Sequence, residues 1–168
     1  MDAEIAVLRL LHILPGAVWV GSAVFLAWVV QPALAKTGPP HAPALMANML
    51  KPLMIVLHGS AITTIVFGLF MAFRVPGRQP LFDHLWSTDW GTMIWLGFAF
   101  SIVAYGIGNV SGMTNKKMGA IGKSLTGPPT PEQVAEMSKL RDRGVLFAKI
   151  ASIGVLIAVG CMALARYV

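Results

Sequence analysis

Four long stretches of nearly unbroken apolar residues alternate along this chain with short segments rich in Pro, Gly and charge. The first, Leu8 to Leu34 (LRLLHILPGAVWVGSAVFLAWVVQPAL), exceeds the roughly 20 residues that a helix needs to cross the hydrocarbon of a bilayer. The pattern predicts helical spans over about 5–35, 44–73, 90–109 and 144–167. Lys36 to Pro43 (KTGPPHAP) reads as a turn. Arg74 to Asp89 (RVPGRQPLFDHLWSTD) reads as a polar connection, with Leu81, Phe82, Leu85 and Trp86 suited to lying flat in an interface and Ser87 or Thr88 capping the third helix. Asn109 to Arg143 is the largest polar segment. Within it Thr130-Pro131-Glu132-Gln133 marks a helix start, with Thr as N-cap, Pro at the first position and Gln in the capping-box place. That helix is expected to run without a break into the fourth span. The fold class expected is all-α: a single integral-membrane domain over residues 1–168, a four-helix bundle with an extended cytoplasmic helical hairpin between helices 3 and 4.

Composition agrees with this pattern. Of 168 residues, 56% are hydrophobic and only 12% charged, about half the charged share of a soluble domain. No sizeable soluble module fits in the length. The net charge of +6 does not point to nucleic acid, because Lys and Arg gather at the ends of the apolar runs. The start, Met-Asp-Ala-Glu, is acidic, and the run behind it is too long for a signal core, so the first segment is expected to be a retained helix. Arg9, Arg74, Arg78 and Arg166 fall on the side of the termini. Lys36, Lys51, Lys116, Lys117, Lys123, Lys139, Arg141, Arg143 and Lys149 fall on the other. The positive-inside rule then predicts an inner-membrane protein with both termini outside.

The candidate chemistry lies in the histidines. An imidazole inside a spanning helix is expensive and marks a functional hypothesis. His12 lies in the first span, three residues before Pro15, whose ring removes a helical hydrogen bond and widens the space beside it. His58 lies in the second span, near Lys51-Pro52. With Arg9 and Arg74 as boundary markers and about 1.5 Å of rise per residue, His12 and His58 differ in depth by roughly 20 Å, which argues against one haem held between them. Met93 and His84 are the candidates to join His12 in an outer site, and Lys149 matches His58 in depth for an inner one. Haem b is the cofactor that best suits intramembrane histidines in a small helical bundle. Haem c lacks its Cys-x-x-Cys-His, and no set of zinc ligands converges. Copper is the alternative, because Met46, Met49 and Met54 stand near His41 and His58 and thioethers suit Cu(I). Cys161, the single cysteine, reads as a packed thiol. All seven carboxylates lie outside the spans, so no acid–base pair or nucleophile is evident and an enzyme is not expected.

The first helix, with His12, Trp19, Gly21 and Pro32, resembles the opening helix of the CopD and HemJ group of small membrane proteins. Lys51-Pro52, Thr64 and Gly68-Leu69 resemble that group's second helix, and Met162 to Tyr167 (MALARY) its ending. The resemblance implies a four-helix bundle that carries b-type haem; HemJ-like members oxidise protoporphyrinogen, and CopD-like members are linked to copper uptake. The HemJ pattern has a lysine one turn into the third helix. Here that neighbourhood reads Trp90-Gly91-Thr92-Met93-Ile94-Trp95, which argues against the oxidase reaction and leaves Met93 in the ligand position. Three readings follow: a b-haem electron-transfer protein, alone, as a homo-oligomer or as a subunit of a larger membrane redox complex, with His12, His58, Met93 and Lys149 as its cofactor contacts; a cofactor-free accessory subunit; and a copper transporter.

Overall fold

A computed structural model describes residues 3–37 and 41–168. Every regular element among them is helical. The first helix, α1, runs from Ala3 to Phe25 and passes through Pro15. A wide π turn over Leu26–Val30 joins it without a break to α2, Gln31–Thr37. Then come α3 (His41–Ala72), the short α4 (Leu81–Ser87), α5 (Asp89–Ser124) and α6 (Pro131–Leu164). Gly38, Pro39 and Pro40 of the expected first turn, and the side chain of His41, lie outside the described residues. Among the described residues four helices are long and apolar enough to cross a membrane: α1–α2 as one unit, α3 from Asn48, α5 and α6. A bilayer is the environment that such surfaces require, and the chain is in this sense a multi-pass membrane protein.

The helices pair as two partners: α1 along α3, and α5 along α6. Small residues set the second contact. Gly97 faces Ala158 and Met162, Ala104 faces Gly154, Gly108 faces Ala151, and Ser111 donates to the Gly144 carbonyl at 2.8 Å. Residues 97, 104 and 111 on α5 and 144, 151 and 158 on α6 repeat every seven positions, the spacing that keeps two helices in register along a shared seam. With only small side chains between them the backbones approach closely, which is how helices gain packing energy in lipid. The two pairs meet at a small core with one residue from each long helix: Trp19, Ala61, Ala104 and Val155.

One end of the molecule carries the termini. There Arg74, at the end of α3, pairs with Glu4 of α1 at 2.8 Å, with both side chains more than half exposed. Nearby, α4 splits into two faces. Leu81 and Leu85 are buried with Trp90 and Ala165, while Phe82 and Trp86 are each 63% exposed. Such a helix covers the end of α5 and α6 and turns aromatics outward, as interfacial aromatics do. Thr88 caps α5 by accepting from the Gly91 amide at 3.0 Å. Only glycine fits at 91, where a Cβ would run into the His84 carbonyl and Leu85.

At the opposite end α5 continues well past its apolar part to Ser124, and α6 begins at Pro131. Both halves of the capping box are made: Thr130 Oγ1 accepts from the Gln133 amide at 3.3 Å, and Gln133 Oε1 accepts from the Thr130 amide at 2.9 Å.

Candidate functional site

His12 lies on the face of α1 that also buries Ile5 and Trp19, seven residues to either side. This face meets α3. The His12 Nδ1 is 2.7 Å from the Thr64 carbonyl. A carbonyl only accepts, so Nδ1 carries a proton, and in the neutral imidazole Nε2 then carries the lone pair. Among the described residues no hydrogen bond engages Nε2. The ring fits because residue 68 is glycine: a Cβ there would stand 2.6 Å from both His12 Nδ1 and Cε1. One turn along, Gly16 lets Thr64 approach, its Cγ2 coming to 3.3 Å from where a Cβ would be. The Thr64 hydroxyl is buried and has no hydrogen-bond partner among the described residues. An imidazole anchored through Nδ1–H to a backbone carbonyl, with Nε2 left open, is the arrangement that orients a histidine as a metal ligand.

His58 has a different setting. Its Nδ1 is 3.0 Å from the Tyr105 hydroxyl, and the two rings meet edge-on with centroids 5.6 Å apart. Both line a cavity of about 80 Å³ between the two helix pairs. Met46, Met54, Asn109, Ser111 and Asn115 add further polar or thioether groups to its wall. Ligand pockets for drug-sized molecules begin at about 300 Å³, so this space suits a few waters or a single ion, not a porphyrin.

The four cofactor contacts expected from sequence lie in four places. Met93 packs against the cluster of Leu81, Leu85, Trp90 and Ala165. That cluster does not include His12, whose own contacts are with Thr64 and Gly68 of α3. His84 sits half-buried on α4, its carbonyl accepting from the Thr88 hydroxyl at 2.6 Å. Lys149 shares the depth of the His58 cavity, whose wall includes Ala148 and Ala151, but it leaves α6 on another side. Its ammonium stands over the Trp28 ring, 5.1 Å from the centroid.

The depths also need correction. Arg74 pairs with Glu4, not with the level of Arg9. His12 is eight residues beyond Glu4, so it lies about 12 Å in, deeper than the three residues from Arg9 would place it. Its acceptor Thr64 is six residues from His58, about 9 Å along α3. The two histidines still occupy separate levels and separate surroundings.

Several contributors carry only a weak signal in the sequence. Thr64 and Gly68 are spaced four apart on one helix face, which a search for a partner to His12 could have used. Tyr105, which bonds His58, is the one tyrosine in the third span. Nothing in the sequence marks the π turn at Leu26–Val30, which shifts the buried face so that Gln31 is 6% exposed. Among the described residues no group of three or more His, Cys, Asp or Glu could hold a metal ion. No family model matches this chain, and neither a curated protein nor a solved structure does.

Proposed function

We propose that this protein is a b-type haem protein that carries electrons in the membrane, with His12 as the residue that would hold the haem through Nε2. The observation behind this reading is the seat of His12: Nδ1–H donates to the Thr64 carbonyl at 2.7 Å, and Gly68 makes room for the ring. The carbonyl fixes the tautomer and the direction of the ring, both of which a ligand histidine needs. The glycine leaves the notch that the ring occupies. A bound haem would supply one-electron chemistry, with a potential tuned by this ligand and by the apolar surroundings. The reading also takes the four spans as a bundle in the inner membrane. The hairpin of α5 and α6 would lie in the cytoplasm and both termini outside, in keeping with the excess of basic residues at the hairpin end. The resemblance of the first helix to the CopD and HemJ group supports the same cofactor, and a larger redox complex is the natural source and sink for its electron. The test is the visible spectrum of the purified protein, made with ample haem, before and after dithionite. A Soret band with sharp α and β bands on reduction is expected; a featureless spectrum would remove the cofactor.

Two other readings have an observation each. The His12–Thr64 bond by itself ties α1 to α3, which is all that a cofactor-free accessory subunit would ask of it. Co-purification with larger subunits and no chromophore would favour that reading. Met46 and Met54 line one small cavity with His58, and a thioether–imidazole wall of that size suits Cu(I). Copper uptake that depends on these three residues would favour transport.

A further inference from the structure

Away from both histidines, towards the hairpin end, α2 and α6 leave an open groove of about 560 Å³. Gln31 and Ala35 form part of one wall, and Arg141, Asp142, Leu146 and Lys149 part of the other. Three observations make it a site for an anion. First, Gln31 is only 6% exposed, and its amide Nε2 has no hydrogen-bond partner among the described residues. A buried amide donor is rarely left so in a native protein; Gln31 lines the groove, and a turn of its side chain into the groove would bring the amide to an acceptor from outside the chain. Second, Lys149 is held in position. Trp28 Nε1 donates to Ser152 Oγ at 2.9 Å, Ser152 donates to the Lys149 carbonyl at 2.8 Å, and the Lys149 ammonium rests over the Trp28 ring. Among the described residues no carboxylate pairs with that ammonium. Third, Arg141 stands on the same side of α6, eight residues nearer the hairpin and so about 12 Å along the axis. Its guanidinium meets the Asp142 carboxylate at 3.1 Å and the Ser138 hydroxyl at 3.2 Å, which uses two of its five N–H donors. With Asp142 counted, the groove keeps a net positive charge.

The walls say which anion. Leu146 lines the groove and is 56% exposed, and Val29, two residues before Gln31, is 51% exposed. The groove therefore runs from the polar end of α6 down onto apolar surface that faces the hydrocarbon. A soluble anion would gain nothing from that surface. A phosphodiester with acyl chains would use both parts, and basic pockets between spanning helices bind such headgroups. We propose that the groove holds one anionic phospholipid, its phosphate accepting hydrogen bonds from the Lys149 ammonium and, once that side chain turns into the groove, from the Gln31 amide, with Arg141 at the headgroup rim.

The experiment is native mass spectrometry of the full chain in detergent, titrated with phosphatidylglycerol, with phosphatidylcholine of the same acyl chains, and with inorganic phosphate. One phosphatidylglycerol per chain is expected, held more tightly than phosphatidylcholine and undisturbed by millimolar phosphate. Q31L and K149Q are each expected to weaken it about tenfold, the loss of one charge-assisted hydrogen bond. In delipidated detergent Q31L, which removes an unpartnered amide, is expected to melt no lower than the wild type, so its loss of lipid cannot be a loss of fold. It also stands as the test if K149Q fails to fold. Unchanged phosphatidylglycerol binding in Q31L, or equal binding of phosphatidylcholine, overturns the proposal. Displacement by inorganic phosphate overturns the lipid and leaves a free-anion site.

Discussion

His12 on α1 occupies the notch that Gly68 leaves on α3, with its Nδ1 2.7 Å from the carbonyl of Thr64 four residues earlier. Residues four apart on a helix share a face, so one short stretch of α3 supplies both the space for the ring and the acceptor that orients it. A methyl group at position 68 meets the ring at 2.6 Å and must displace it. Gly68→Ala is therefore expected to destabilise the protein by about 1–3 kcal/mol, as overpacking does, less a gain of up to about 1 kcal/mol in helix propensity. Thermal unfolding in detergent measures this. A variant as stable as the wild type, with an unaltered visible spectrum, would show that the notch is not needed.

Tyr105→Phe removes the hydroxyl that meets His58 at 3.0 Å and leaves that imidazole nitrogen facing the small cavity. The expected cost is about 1 kcal/mol, the net worth of one such bond. Since His58 is not assigned to the haem, the haem spectrum of this variant should match the wild type. A shifted α band would return His58 to the cofactor.

The start of α6 carries a titrating group outside the spans. The Glu132 carboxyl is held below its ordinary value, first by its own backbone N–H and then by the Thr130 hydroxyl, with burial opposing only weakly. A carboxyl lowered in the folded state stabilises above its unfolded pKa, and this contribution is lost as pH falls through the folded value. Thr130→Ala should move the Glu132 titration upward, towards the ordinary carboxyl range, and should cost about 1 kcal/mol through the lost cap. Carboxyl carbon shifts by NMR across acidic pH report the first effect; a titration unmoved by the substitution would contradict the assignment.

The positive-inside reading assigns the turn between α5 and α6 to the cytoplasm. In a Cys161→Ser background, Gly127→Cys should react with an impermeant maleimide in inside-out vesicles and not in intact cells stripped of any outer membrane. Labelling in the intact cells would reverse the orientation.

Much of the architecture was legible because it rests on local physics. Apolar runs of spanning length gave the four long helices, and Thr130-Pro131-Glu132-Gln133 gave the start of α6 to the residue. The site was less legible because it rests on contacts between distant segments. His12 stood out as a costly residue, but no local pattern names the carbonyl of Thr64 as its acceptor. The depth estimate failed for the same reason: Arg9 looked like a boundary marker, whereas the ion pair that levels the two helices is made by Glu4 and Arg74. Lys149 matched His58 in height, yet a helix has sides as well as levels, and its side turned it to Trp28. The π turn at Leu26–Val30, which buries Gln31, has no sequence signature of its own.

The most direct test of the haem assignment is a reduced-minus-oxidised difference spectrum of His12→Ala beside the wild type, both made with ample haem and both checked for helix content. The account predicts a sharp α band in the wild type that is lost or displaced in the variant, with the helical signal retained. An identical α band in both proteins would contradict it, because a haem that ignores the loss of His12 is not bound there.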